Sequence, residues 1–378
     1  MREESLELEL TIGDVSRSGP GVARDPDGRV VFVPGTAPGD RVRVKLTHFQ
    51  KRFVEGELVE LLEPSPERVQ PRCPVFGRCG GCQWQHLSYE RQWKTKVLGA
   101  LHALARVGLK EVSELPREEF PAQHPWNYRN RIQLRGGPFG LGFYARGSHE
   151  VVPIDRCEIA REELNHSLDR FRKEAVSRPG PSKLELEVRE SGDLAFAWNA
   201  PHAAQGFRQV NDAQNAELQG WVSQRLKGGA TLLDLYGGSG NLSLPVASRF
   251  ERVYCVDFGA GRLPEGSGNL EIPAHFEFKR MDVKRWADRQ LSSGMQKKGG
   301  VCLVDPPREG CGDALGSISA VLDATGIDQL IAVGCDPDSW ARDLARFCTK
   351  GWRVRELAFF DFFPQTVHFE SVARLERV

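Results

Sequence analysis

No stretch of this chain approaches the ~20 consecutive apolar residues that span a bilayer, so no transmembrane helix is expected. The opening Met1-Arg2-Glu3-Glu4 is acidic and polar, unlike a secretory signal peptide. A cytoplasmic protein is the default expectation. A charge surplus is missing too: 51 Lys and Arg face 51 Asp and Glu. That weighs against a nucleic-acid partner, because phosphate binding normally leaves a basic footprint. Disulfides are not expected from nine cysteines in a cytoplasmic chain of this size.

What is present is an ordinary globular composition, 40% hydrophobic and 27% charged, over 378 residues, with room for two or three domains. Charge is neutral in sum but uneven in place. Arg41, Arg43, Lys45, Lys51 and Arg52 fall in one acid-free stretch, and Arg129, Arg131, Arg135 and Arg146 in another. Two local basic faces and two solvated strand faces are equally good readings of these.

Residues 1–62 read as a small barrel. Leu6-Leu8-Leu10 and Val42-Val44-Leu46 alternate at the strand period. Gly19-Pro20-Gly21, Asp25-Pro26-Asp27-Gly28 and Pro38-Gly39-Asp40 mark turns. Five short strands in this length fit an OB-like barrel. Residues 63–205 form a small α+β middle region, with a helix over 88–107 and strand-like stretches at 131–135, 141–144 and 183–198.

From residue 206 strand and helix patterns alternate. Strands are predicted at 231–235, 252–257, 275–280, 300–304 and 329–333, and two more, about 352–361 and 366–377, pair as an antiparallel hairpin. Such alternation signals a doubly wound parallel sheet. Asp234-Leu235-Tyr236-Gly237-Gly238-Ser239-Gly240 reads as a cofactor loop; its glycines permit positive φ and close approach of a ligand. Asn241-Leu242 is expected to open a helix. Asp257 ends the second strand sixteen residues after Asn241, where an acid can hold ribose hydroxyls or cap a helix. The loop lacks the Gly-x-Gly-x-x-Gly spacing of pyrophosphate binders. Asp305-Pro306-Pro307-Arg308 follows the fourth strand, Cys335 the fifth, and Glu370 sits near the last. A thiol, a carboxylate and a cofactor loop on one α/β frame point to covalent catalysis with group transfer.

Cys73-x5-Cys79-x2-Cys82, with Cys157 as a distant fourth, suits zinc or an iron–sulfur cluster, and spacing does not separate the two. Cys255, Cys302, Cys311 and Cys348 have no ligand-like grouping.

Together these motifs resemble the RNA uridine C5-methyltransferase family over nearly the whole chain. Gly21-Val22-Ala23 and Val30-Val31-Phe32-Val33-Pro34-Gly35 are similar to its TRAM domain, and Cys73 through His86 to its iron–sulfur segment. Tyr128-Arg129-Asn130-Arg131, Phe207-Arg208-Gln209-Val210-Asn211, Asp305-Pro306-Pro307-Arg308, Cys335-Asp336-Pro337 and Phe363-Pro364-Gln365-Thr366 continue the match. The resemblance implies a Rossmann-like S-adenosylmethionine methyltransferase domain, a 4Fe–4S cluster on Cys73, Cys79, Cys82 and Cys157, and an RNA substrate. The combination of barrel and cysteines resembles the 23S ribosomal RNA enzymes, and a monomer without membrane attachment is expected. It further implies Cys335 as nucleophile and Glu370 as base. Gln209, Tyr236, Asn241, Asp257 and Asp305 match cofactor-contact positions, and Asp282 matches the adenine side. Two alternatives stay open: the T-loop uridine of tRNA as target, and a non-catalytic RNA-binding protein of the same fold.

The chain departs from the family in three places. Gly334-Cys335-Asp336-Pro337 replaces Ser-Cys-Asn-Pro, and the added carboxylate is expected to raise the thiol pKa. Tyr236-Gly237-Gly238 replaces Phe-Cys-Gly. Gly259, Gly261, Pro264, Gly266 and Gly268 break the helix expected after Asp257.

Overall fold

A computed structural model describes residues 6–137, 139–178, 180–200, 208–259, 261, 272–294 and 298–378. Phe207, Pro264, Gly266 and Gly268 lie outside the described residues.

Three sheets carry the chain. The N-terminal sheet has six strands rather than the five expected, because Asp14–Val15 pairs briefly with Gly21–Arg24. Its core is Leu10, Ile12, Val31, Val33, Val42, Val44 and Val54. In the first acid-free stretch Arg41 reaches Glu9 and Glu63, and Arg43 reaches Glu9 and Glu60, so these two arginines are already paired. Cross-strand register supplies acids that local sequence does not show.

A five-stranded antiparallel sheet contains Arg131–Gly137, Gly140–Tyr144 and Val151–Pro153. The single stretch expected at 183–198 is a hairpin of Ser182–Val188 and Leu194–Trp198. Helix Glu162–Val176 covers this sheet through Leu164, Leu168 and Phe171. In the second acid-free stretch Arg131 lies beside Glu187, and Arg135 stacks on Tyr144.

The large sheet has eight strands. In spatial order they are Phe276–Arg280, Phe250–Asp257, Gly229–Leu235, Gly300–Val304, Ile327–Gly334, Glu370–Arg377, Trp352–Phe360 and Arg117–Phe120. The first five are mutually parallel, and Glu370–Arg377 runs antiparallel between its two neighbours. This is the parallel sheet with a C-terminal hairpin that the sequence predicts. Both faces are buried, as expected where Leu232, Leu233 and Leu235 leave no polar alternation. One face packs under helices Tyr89–Arg106, Val283–Ser293, Ala314–Thr325 and Pro337–Thr349. Helix Asp212–Arg225 and the 3₁₀ turn Leu244–Arg249 cover the other.

Two features were not legible beforehand. The helix expected from Asn241 is only that 3₁₀ turn, because Pro245 stands in it and the next strand begins at Phe250. Helix Tyr89–Arg106 and strand Arg117–Phe120, drawn from the 63–205 stretch, join the core and the edge of the large sheet.

Candidate active site

The site forms where the parallel order reverses, between Gly229–Leu235 and Gly300–Val304, at the carboxyl ends of the strands. Open α/β sheets bind ligands in the crevice at this point. Three acids stand on that rim. Asp234 is 1% exposed and accepts from Ser243 Oγ; burial pushes its pKa up to about 6. Asp305 follows strand Gly300–Val304, its amide donating to Leu235 O at 3.2 Å. Burial first, then the charges of Asp234 and Asp257, push Asp305 up to about 7. Mutual repulsion of this kind marks a place suited to a cationic ligand.

The loop between them is bent for close approach. Tyr236 takes φ 63°, an uncommon conformation for a non-glycine residue, and its amide donates to Val256 O at 2.8 Å. Burial raises its hydroxyl pKa, with Cys311 and Asp282 next in effect. A Cβ on Gly237 would stand 2.4 Å from Asp234 Oδ2 and 2.7 Å from Cys255 Sγ, so only glycine fits.

The other expected cofactor residues are placed less simply. Asn241 exchanges amide bonds with Asn215 at 2.8 and 3.0 Å and accepts from Gln219 at 3.1 Å, which directs it to helix Asp212–Arg225. Asp282 caps helix Val283–Ser293 by accepting from Arg285 N at 2.9 Å. Asp257 accepts from the Gly259 amide at 2.5 Å. Asp282 caps a separate helix, and most of the residues that a helix after Asp257 would occupy lie outside the described residues. Gln209 sits half-buried beside Asn130, whose side chain donates to its carbonyl at 2.9 Å.

Cys335 and Glu370 are brought together by the antiparallel ladder. Gly334 pairs with Ser371, so the next residue on one strand faces the preceding residue on the other. Glu370 is 6% exposed, and no donor among the described residues reaches its Oε2. Burial pushes its pKa well above the carboxylate range; Asp305 adds to this and Arg308 opposes it. Burial, then Glu370 and Asp305, raise the Cys335 thiol to about 12, again against Arg308. The expected rise is present, but its leading charges are Glu370 and Asp305 rather than Asp336. The Asp336 carboxylate is engaged in capping helix Pro337–Thr349 through the Asp338 and Ser339 amides, both at 3.0 Å. Gly334 has its own reason: a Cβ there would lie 2.7 Å from Trp340 Cβ.

Arg308 is the site residue that motif reading left without a role. Its Nη2 lies 3.2 Å from His368 Nε2. It is the cation acting on both Cys335 and Glu370.

Cys73, Cys79, Cys82 and Cys157 line one cavity of about 200 Å³. Among the described residues no three metal-ligating side chains converge tightly enough to hold a metal ion in common. A formed metal centre, expected in the middle region, is therefore not seen. Burial and mutual repulsion push Cys82 up to about 12, and burial dominates in raising Cys157 to about 11.

Comparison with known proteins adds the family. A TRAM domain matches residues 2–59, and the tRNA (Uracil-5-)-methyltransferase family matches residues 197–378. An RNA methyltransferase of Bdellovibrio bacteriovorus is 31% identical over 97% of this chain and 94% of its own length. The 23S rRNA (uracil(1939)-C(5))-methyltransferase RlmD of Chromohalobacter salexigens is 30% identical over 100% of this chain and 90% of its own. The chain belongs to the RNA uracil-C5-methyltransferase family. In fold, this family member matches the Pyrococcus abyssi tRNA (uracil-54, C5)-methyltransferase, solved with S-adenosyl-L-homocysteine. The TM-score is 0.73 at 22% identity, over 97% of this chain and 99% of that one. No helix among the described residues is long and apolar enough to cross a membrane.

Proposed function

We propose that this family member methylates C5 of a uridine in 23S rRNA, using S-adenosylmethionine as methyl donor. The observation that carries the reading is the facing pair Cys335 and Glu370, on both of which Asp305 and Arg308 act electrostatically. Uracil C5 is a poor nucleophile until C6 is attacked. Cys335 Sγ forms a bond to C6, and the ring electrons move to make C5 an enolate carbon. Arg308 favours the thiolate that this step needs. Bound S-adenosylmethionine would supply the electrophilic methyl group to C5 and leave as S-adenosylhomocysteine. Glu370, kept basic by its desolvated position, then takes the proton from C5; the C6–S bond breaks and Cys335 leaves. Tyr236, Asp257 and Asp305 would hold the donor, and Gln209 and Asp282 match further donor-contact positions by family resemblance. The target base must be unpaired or flipped out to reach Cys335.

The four thiols fit a group larger than one ion. All four line one cavity, and no three ligating side chains among the described residues converge on a common point as a single zinc requires. They would hold a 4Fe–4S cluster, whose role here is structural, since methyl transfer moves no net electrons. The segments 1–62, 63–205 and 206–378 act as barrel, cluster-bearing and methyltransferase units of a monomer, with both reacting groups on one sheet.

The family description favours a second substrate, tRNA. Tritium release from 5-tritiated uridine in undermodified 23S rRNA, compared with Cys335→Ala, tests the proposal. Release that vanishes in the variant supports it. Release only from tRNA transfers the chemistry to the second substrate, and release from neither overturns it.

A further inference from the structure

The segment leading into Glu370 is held from outside its own sheet. Between Phe360 and Glu370 the chain leaves the ladder for nine residues. Helix Tyr89–Arg106 meets this turn with one face. Tyr89, Gln92, Trp93 and Lys96 lie at helical spacing and all point at it. Lys96 is fully buried, and its Nζ donates to Asp361 Oδ1 at 2.7 Å and to Phe363 O at 3.0 Å. Tyr89 Oη donates to the other Asp361 oxygen at 2.8 Å. Gln92 accepts from Gln365 N at 2.9 Å and donates to Gln365 Oε1 at 3.0 Å. The Trp93 ring stands edge-on to Phe369.

This is a costly way to attach a loop. Taking an ammonium and a carboxylate out of water is often less favourable than packing an apolar pair of the same size. What the apolar pair would not supply is direction. Lys96 fixes a carboxylate and a carbonyl at once, and Gln92 clamps both amides of Gln365, a buried residue at φ 69°. Glu370 has an unpartnered Oε2 and no hydrogen bond of its own to aim that oxygen among the described residues. Its aim is set by the turn that delivers it.

We propose that Lys96, with Tyr89 and Gln92, is a positioning residue for Glu370 in the deprotonation step. The inference rests on the covalent reading above. It assigns a step-specific role to a helix outside the methyltransferase strands. Misaiming Glu370 leaves Cys335 addition and methyl transfer intact but delays removal of the C5 proton. The methylated, covalently bound RNA then accumulates.

The test is a single-turnover reaction with undermodified 23S rRNA and labelled methyl donor. It follows protein–RNA adduct on a denaturing gel beside released methylated product. Glu370→Gln is the control, and its failure to accumulate adduct overturns the covalent reading itself. With that control positive, Lys96→Met is expected to raise the ratio of adduct to product on the order of 10–100-fold, with KM for donor and RNA nearly unchanged. Because Lys96→Met strands the buried Asp361, Tyr89→Phe and Gln92→Met carry the same test with less risk to folding. Adduct ratios equal to wild type in the folded variants would overturn the proposal and leave the covalent reading standing.

Discussion

Arg17, on a loop of the N-terminal barrel, reaches Asp336, the residue after the thiol, at 3.5 Å, and also pairs with Asp338. Its stem crosses helix Tyr89–Arg106 at Gly99, where an added Cβ would meet Arg17 Cδ and Cγ at 2.9 Å. The barrel therefore touches the first turn of the helix that presents Cys335. Both partners are about one-third exposed, so the pair is worth at most about 1 kcal/mol. Arg17→Ala should lower kcat/KM by roughly 2–5-fold. The loss should shrink in an Asp336→Asn background. Equal losses in both backgrounds, measured as a double-mutant cycle, would show that the two residues do not cooperate.

Gly237→Ala should damage both stability and the donor site. The new methyl group must displace Asp234 or Cys255, an overpacking cost of about 1–3 kcal/mol. Thermal unfolding should shift down, and calorimetric titration with S-adenosylhomocysteine should show weaker binding. Unchanged affinity would place the donor elsewhere on the sheet.

Asp234 makes a prediction with a sign. Its folded pKa is raised from 3.8 to about 6, so the folded chain keeps a proton that the unfolded chain releases. The stabilisation is complete below pH 3.8 and is lost as pH rises through about 6, a swing of about 3 kcal/mol. His86 and His368, both lowered to about 4 by burial, work the other way as pH falls below 6.5. The raw melting curve therefore mixes opposing slopes, and the difference between Asp234→Asn and wild type isolates one. Below pH 3.8 the two should melt together, and by pH 5 about half of the difference should have developed. At pH 8 the variant should melt roughly several degrees higher. A constant offset would show that Asp234 keeps an ordinary pKa.

Protein purified without oxygen should contain iron and acid-labile sulfide in a 4Fe–4S ratio, and Cys82→Ser should lose both. Zinc at one equivalent would replace the cluster by a single-ion site. Cluster loss should also loosen the catalytic turn, because Gln83 and Trp84, next to Cys82, donate through their amides to Gln365 O at 3.1 Å. Proteolysis within residues 361–369 would report this directly.

The parallel strands were legible because two-sided burial writes continuous apolar runs such as Val301-Cys302-Leu303-Val304. Cys335 and Glu370 stood out by motif, but their meeting depends on Glu370–Arg377 pairing with Ile327–Gly334, which the predicted hairpin of the last two strands does not specify. Other features depend on partners distant in sequence. Nothing near Asn241 announces Asn215 and Gln219, and nothing near Arg41 announces Glu9. Nothing near Lys96 announces Asp361, its partner 265 residues away. The departure at Gly334 read as a lost serine until Trp340 explained it.

Strand Glu370–Arg377 lies between Ile327–Gly334 and Trp352–Phe360 rather than at an edge. A nascent or refolding chain can complete the first five strands and still have no base opposite its thiol. The ladder that creates the pair closes only when this late segment threads between two strands made before it. Such non-local pairing is slow. A donor-binding rim can thus exist before the reactive pair does, and recovery of cofactor binding during refolding should run ahead of recovery of methyl transfer.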